Sequence, residues 1–183
     1  MKKILLLLTV LMMFTICFAA EPVAERPVYS AGDYWVFTAN DKQEVKLRFL
    51  KEEKDYYYFD RDGVQVVKDF DLTEVIKQKN HDYRGPFIKF PLTVGKVWTY
   101  DIQGDQIVPR QAGRQAKYKV AAYEQITVPA GTFWSFKITL SIYETKYWGK
   151  VFSTEYWYAP DVKQIIRFSK EGKVSQLKEY KIK

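Results

Sequence analysis

The sequence predicts an all-β protein: a curved antiparallel meander sheet, closed into a barrel or half-barrel, with at most one short helix. Three observations carry that expectation. Short runs rich in Val, Ile, Tyr, Phe, Trp and Thr alternate with turn residues along most of the chain, the composition of strands and their connections. Turn signals recur between successive runs, so neighbouring strands pair as hairpins. From Thr132 to Glu144, Trp134, Phe136, Ile138, Leu140 and Ile142 alternate with Ser135, Lys137, Thr139 and Ser141. That alternation gives a strand one dry face and one wet face.

Taken in order, Asp33 to Thr38 is the first strand, and Val45 to Leu50 follows the turn at Asn40-Asp41. Asp55 to Phe59 and Val64 to Val67 flank Asp60-Arg61-Asp62-Gly63, a hairpin signal because glycine readily adopts positive φ. Asp71 and Glu74 stand at capping-box spacing, and Leu72, Val75 and Ile76 share one helical face. The segment Asp71 to Lys79 is therefore expected to form a helix of about two turns. Lys96 to Ile102 is a strand, and a polar loop through Gly104, Pro109 and Gly113 follows it. Lys117 to Val128 runs into Pro129-Ala130-Gly131, a turn with Gly131 in a left-handed position, and Thr132 to Glu144 returns. Gly149 turns the chain into Val151 to Tyr158, Ala159-Pro160-Asp161 turns it into Val162 to Phe168, and Glu171-Gly172 leads to Val174 to Ile182. A meander of roughly nine or ten strands results. Left flat, it would expose long edges and an apolar face, which curling resolves, with the short helix plugging the hollow. Gly32-Asp33-Tyr34-Trp35-Val36-Phe37 and Gly95-Lys96-Val97-Trp98-Thr99-Tyr100 share one pattern, glycine, charge, any residue, Trp, any residue, aromatic. In each copy the Trp occupies an inward position.

The N-terminus reads as a signal peptide over residues 1–20, followed by one β-rich domain over 21–183. Lys2 and Lys3 form a charged start, Ile4 to Phe18 is apolar apart from Thr9 and Thr15, and Ala19-Ala20 precede polar Glu21, which is the three-part plan of an export signal. Cleavage after Ala19 places two small residues, Cys17 and Ala19, at the third and first positions before the cut, whereas cleavage after Ala20 places Phe18 at the third. Two other readings stay open: lipid anchoring at Cys17, disfavoured because Ile16 is not small, and an uncleaved segment just long enough to span a bilayer. Each leads to an exported protein of the periplasm or cell envelope.

Composition excludes much chemistry. The three Met and the single Cys of the 183-residue chain all lie in the leader, so thiol nucleophiles, disulfides, iron–sulfur clusters and Cys-based zinc sites have no residues to form from. The only histidine, His81, lies in the polar run Lys79-Asn80-His81-Asp82-Tyr83. No Gly-x-Ser-x-Gly turn presents a serine to it, so it reads as a surface residue and not a general base. The acidic pairs Glu52-Glu53 and Asp60/Asp62 adjoin turns, where carboxylates serve capping and solvation. No catalytic residue, metal site or cofactor is expected, and the protein is not expected to be an enzyme. Loss of the leader removes two positive charges from the formal +7. The modest remainder, outside the cytoplasm, points away from nucleic acid and towards anionic envelope polymers or plain solubility.

The aromatic content, 17% of the chain, is the positive signal. Inward rings fill a β interior or line a cavity within it. Outward rings stiffen a sheet through cross-strand pairs or dock a partner. The first function reading is a non-catalytic cell-envelope protein binding a lipid, acyl chain or lipidated protein in the hollow of a half-barrel, with Trp35, Trp98, Trp134, Phe136 and Ile138 lining it. It requires an apolar cavity of several hundred Å³. The second is an interaction module that docks an envelope protein or glycan on Tyr57, Tyr147, Trp148 and Trp157.

Phe90-Pro91-Leu92-Thr93-Val94-Gly95-Lys96-Val97-Trp98-Thr99-Tyr100, Val128-Pro129-Ala130-Gly131-Thr132-Phe133 and Tyr156-Trp157-Tyr158-Ala159-Pro160 resemble a broad set of uncharacterised bacterial secreted or lipid-anchored β-domains. These are likened to the carriers that ferry lipoproteins across the periplasm. The resemblance spans about residues 86 to 181 and rests on turns and inward aromatics. It implies a curved antiparallel sheet around a hydrophobic concavity, with no catalytic residue to carry over. The chain departs from the pattern after Pro160: such domains often place a glycine within a few residues, and Asp161-Val162-Lys163-Gln164 stands here instead.

Overall fold

The computed structural model describes residues 20–39, 43–75, 88–102, 114–144, 149–170 and 172–183. Residues 1–19, His81 and the pair Tyr147-Trp148 lie outside these residues. The described chain is nearly all strand: β1 (Val23–Ala24), β2 (Tyr34–Ala39), β3 (Gln43–Glu53), β4 (Tyr56–Arg61), β5 (Val64–Asp69), β6 (Leu92–Thr93), β7 (Val97–Ile102), β8 (Arg114–Val128), β9 (Gly131–Glu144), β10 (Gly149–Ala159), β11 (Gln164–Lys170) and β12 (Lys173–Lys181). Ten of them form one sheet in the order β5-β4-β3-β2-β12-β11-β10-β9-β8-β7, every neighbour antiparallel. β1 and β6 make a separate two-stranded ladder, with Ala24 opposite Leu92.

The sheet is a curved meander with a seam. The first and last long strands, β2 and β12, pair at its centre, with Trp35 opposite Tyr180 and Phe37 opposite Leu177. The two halves then run outward, so β5 and β7, consecutive apart from β6, end on opposite edges. The sheet is open, a correction to the barrel alternative. A closed barrel needs its edge strands to pair, whereas β5 meets Glu74 in one bridge, Lys68 to Glu74.

The local chemistry of the chain explains its turns. β4 and β5 join through Asp62 and Gly63, at φ +50° and +85°, the pair of positive values that a type I′ hairpin requires. Asp60 Oδ1 accepts the Gly63 N–H at 2.8 Å and Asp62 Oδ1 accepts the Lys46 N–H at 3.0 Å. A Cβ on Gly63 would meet nothing within 4 Å, so Gly63→Ala isolates backbone strain. It is expected to cost about 1 kcal/mol in urea unfolding, with Gly63→Asn nearly neutral; a neutral alanine variant would contradict the turn assignment.

The expected helix at Asp71 to Lys79 does not form over its described part. Leu72 takes φ +58°, the Asp69 N–H donates to Thr73 O, and the Val75 N–H donates to Val67 O at 2.8 Å. The chain doubles back on β5 because Asp69 Oδ1 accepts the N–H groups of Asp71 and Thr73 at 3.0 and 2.8 Å, a local bond that competes with helix. The only helical turn among the described residues is the 3-10 segment Pro160–Val162. Lys163, which follows it, adopts φ +59°, a left-handed conformation more usual for glycine. The Lys163 N–H donates to Pro160 O at 3.0 Å, and its carbonyl accepts the Tyr29 hydroxyl at 2.9 Å.

The hollow of the sheet is filled at this end. Tyr29, from the segment after β1, meets Trp35, Phe49, Tyr57 and Phe59 at centroid distances of 5.0–5.5 Å. Leu72, Ile88 and Leu92 join the same buried cluster from the crossing between the edges. The work assigned to a plugging helix is thus done by extended chain. The β8–β9 hairpin runs beyond the end of β10, and its tip returns to β12, where the Ala130 N–H donates to Leu177 O at 3.1 Å.

Candidate functional site

Beside that plug, side chains of β2–β5, β11 and β12 frame a cavity of about 360 Å³. Strand register places its walls. Phe37 of β2 stands opposite Val45 of β3, and Leu47 opposite both Trp35 and Arg61, so β2, β3 and β4 point these side chains the same way. Phe168 of β11 stands opposite Ser175 of β12. Phe37, Val45, Leu47, Ile165 and Phe168 supply an apolar lining, and Arg61, Lys68, Gln164, Arg167 and Ser175 supply polar groups among them.

The cations differ in their partners. Glu74 accepts from both Arg61 nitrogens, at 2.6 and 3.3 Å, a forked pair that neutralises the guanidinium. Lys68 stands opposite the buried Tyr57 and so points inward, with Nζ 5.3 Å from the centroid of Phe59. No acceptor among the described residues hydrogen-bonds it. Burial, reinforced by the Arg61 charge and opposed by Glu74, lowers the Lys68 amine to about 8. Gln164 is buried; its Oε1 accepts the Ile165 N–H at 3.1 Å, and its Nε2 has no partner among the described residues.

A lowered amine has a stability consequence. An unfolded lysine titrates near 10.5, so between pH 8 and 10.5 the unfolded chain holds more protons than the folded one. Stability therefore rises with pH across that window, and below it the penalty is present in full. Lys68→Met is expected to stabilise the protein by about 2 kcal/mol at pH 7. That advantage should fade by pH 11; urea unfolding of both forms across the range checks it. A methionine variant less stable than the parent at pH 7 would refute the buried-charge account.

The residues singled out from sequence are placed differently from one another. Trp35, Phe136 and Ile138 are at most 1% exposed, within the packed core. Trp98 is also buried, stacked on Tyr118 at 5.2 Å. Trp134 is 47% exposed and stacked on Tyr123 at 5.2 Å. β10 pairs with β9 only as far as Phe136, so Trp134 lies on the overhanging hairpin. None of these five lines the cavity, whose walls come from β2–β5, β11 and β12.

Of the outward ring set, Tyr57 points inward, its hydroxyl donating to Pro27 O at 2.8 Å. Tyr58 is its outward neighbour, beneath Lys51 at 5.1 Å. Trp157 does face out, but Lys137 and Arg167 lie over its ring at 5.1 Å each and its Nε1 donates to Glu124 at 2.9 Å. Those contacts leave it 6% exposed. Tyr57 and Trp157 thus face opposite sides of the sheet, and Tyr147 and Trp148 lie outside the described residues.

Sequence reasoning missed the cavity residues. The signal for two of them was present as parity: Arg61 follows Tyr57 and Phe59, and Lys68 follows Val64 and Val66, each a cation at an inward position. Among the described residues no three carboxylate or histidine side chains converge to hold a metal ion, and no helix is long and apolar enough to cross a membrane.

No family model matches the sequence, and no curated protein does. Among solved structures the chain is similar to the hypothetical lipoprotein YmcC of Escherichia coli, with 11% identity, a TM-score of 0.45, and 85% of this chain and 89% of that one covered. It is also similar to a Bacteroides fragilis protein with a YmcC-like fold, with 15% identity, a TM-score of 0.42, and coverage of 86% and 99%.

Proposed function

We propose that this is a non-catalytic cell-envelope protein that binds the apolar chain of a lipid or lipidated protein in the cavity between β2–β5 and β11–β12. The supporting observation is the cavity itself: about 360 Å³, walled by Phe37, Val45, Leu47, Ile165 and Phe168. Ligand pockets span roughly 300–1,000 Å³ and are lined mainly by apolar side chains with a few polar groups. The leader supports the compartment, since an apolar segment behind Lys2 and Lys3 is an export signal.

The neutral apolar fluorophore phenylnaphthylamine tests this reading. It is expected to bind the purified protein with enhanced emission. Ser175→Trp, which fills the cavity from β12, should weaken that binding at least tenfold, about 1.4 kcal/mol, while unfolding stays two-state. No binding, or binding indifferent to the tryptophan, would remove the proposal.

A further inference from the structure

We propose that the cavity selects a single-chain amphiphile with an anionic oxygen head, Lys68 supplying the opposite charge and Gln164 an amide donor. The inference rests on the ligand-binding reading above and specifies its ligand. The polar groups of the cavity are unbalanced towards donors. Arg61 has its carboxylate, Glu74, at 2.6 and 3.3 Å. Lys68 has an aromatic ring at 5.3 Å and no acceptor among the described residues. Gln164 Nε2 and Arg167 Nε are buried with no hydrogen-bond partner among the described residues, although Gln164 uses its oxygen on the Ile165 N–H.

A buried donor without an acceptor costs free energy that an arriving oxygen recovers. A neutral hydroxyl head recovers part of it. A carboxylate or phosphate recovers more, because both partners of the bond to Lys68 are then charged. A cationic head would add repulsion to a site that already holds Arg61, Lys68 and Arg167. The size of the cavity sets the tail: at about 360 Å³ it stands at the small end of ligand pockets and accommodates one chain. The half-buried Lys68 amine, lowered to about 8, is still protonated at neutral pH, and an anion beside it would raise it again.

Displacement of phenylnaphthylamine from the full chain by laurate, lauryl phosphate and monolaurin separates the possibilities. Laurate or lauryl phosphate is expected to compete at least tenfold better than monolaurin, and the better of the two identifies the head as carboxylate or phosphate. In Lys68→Met that preference should vanish, laurate and lauryl phosphate losing their advantage while monolaurin, whose head needs no cation, still displaces the fluorophore. Gln164→Glu, which places a carboxylate where the unpaired amide stood, should reduce laurate competition further than monolaurin competition. Equal competition by all three, or a preference that survives Lys68→Met, overturns the assignment of the head and leaves the apolar cavity standing. Failure of the fluorophore and of every amphiphile to bind overturns both readings together.

Discussion

Trp35→Ala is expected to remove about 4 kcal/mol of stability, the range for deleting a buried indole that its surroundings cannot collapse to replace. The ring is fully buried. It meets Tyr29 edge-on at 5.5 Å and Phe59 at 6.3 Å, and its Nε1 donates to Val162 O at 2.7 Å. It thus touches three parts of the chain: the segment after β1, strand β4 and the turn after β10. Alanine would leave a cavity among rings that face each other at fixed angles, and an orphaned carbonyl at Val162. Trp35→Phe keeps much of the packing and loses the bond, so about half the cost is expected. Urea unfolding at constant m-value measures both. An alanine variant within 1 kcal/mol of the parent would mean that Trp35 is not the centre of the core.

Asp33→Ala comes next, at about 3 kcal/mol. Asp33 is fully buried, and each carboxylate oxygen has an assignment. Oδ1 accepts the Lys183 N–H at 2.9 Å, and Oδ2 accepts the Ser30 N–H at 2.9 Å and faces Lys163 Nζ at 3.4 Å. One side chain therefore ties the start of β2, the turn after β10 and the C-terminus. Its removal leaves two N–H groups and an ammonium without their acceptor, and a buried donor left unpaired costs more than the bond was worth. Lys163→Met alone should cost only about 1 kcal/mol, since the carboxylate keeps its two backbone donors. A double-mutant cycle between positions 33 and 163 reads their coupling directly. Additive losses would show that Lys163 merely lies nearby.

Much of the fold could be read from the chain. Asp60-Arg61-Asp62-Gly63 predicts its hairpin because two consecutive residues at positive φ favour Asp and Gly. Thr132 to Glu144 predicts its wet and dry faces because polar and apolar side chains alternate without a break. The run Tyr56-Tyr57-Tyr58-Phe59 was ambiguous for the opposite reason: with every side chain aromatic, composition carries no parity. Register decided it, since Phe59 stands opposite Phe49 and Tyr57 opposite Lys68. The segment after Asp71 read as a helix because capping-box spacing and an apolar face fit one, and Asp69 drew its backbone into a turn instead.

The candidate site was less legible. Its walls come from Val45, Lys68, Gln164 and Ser175, residues that only strand pairing brings together. Strand and turn preferences act between residues a few positions apart, and they set the strands and the hairpins. The pairing of β2 with β12 joins the two ends of the domain. It follows from which faces bury together once those strands exist, a choice that no local window of sequence contains. Tertiary structure alone therefore decided that the rings of Trp35, Phe136 and their neighbours close into solid core. It also decided that a space remains beside them, with a lysine in its wall.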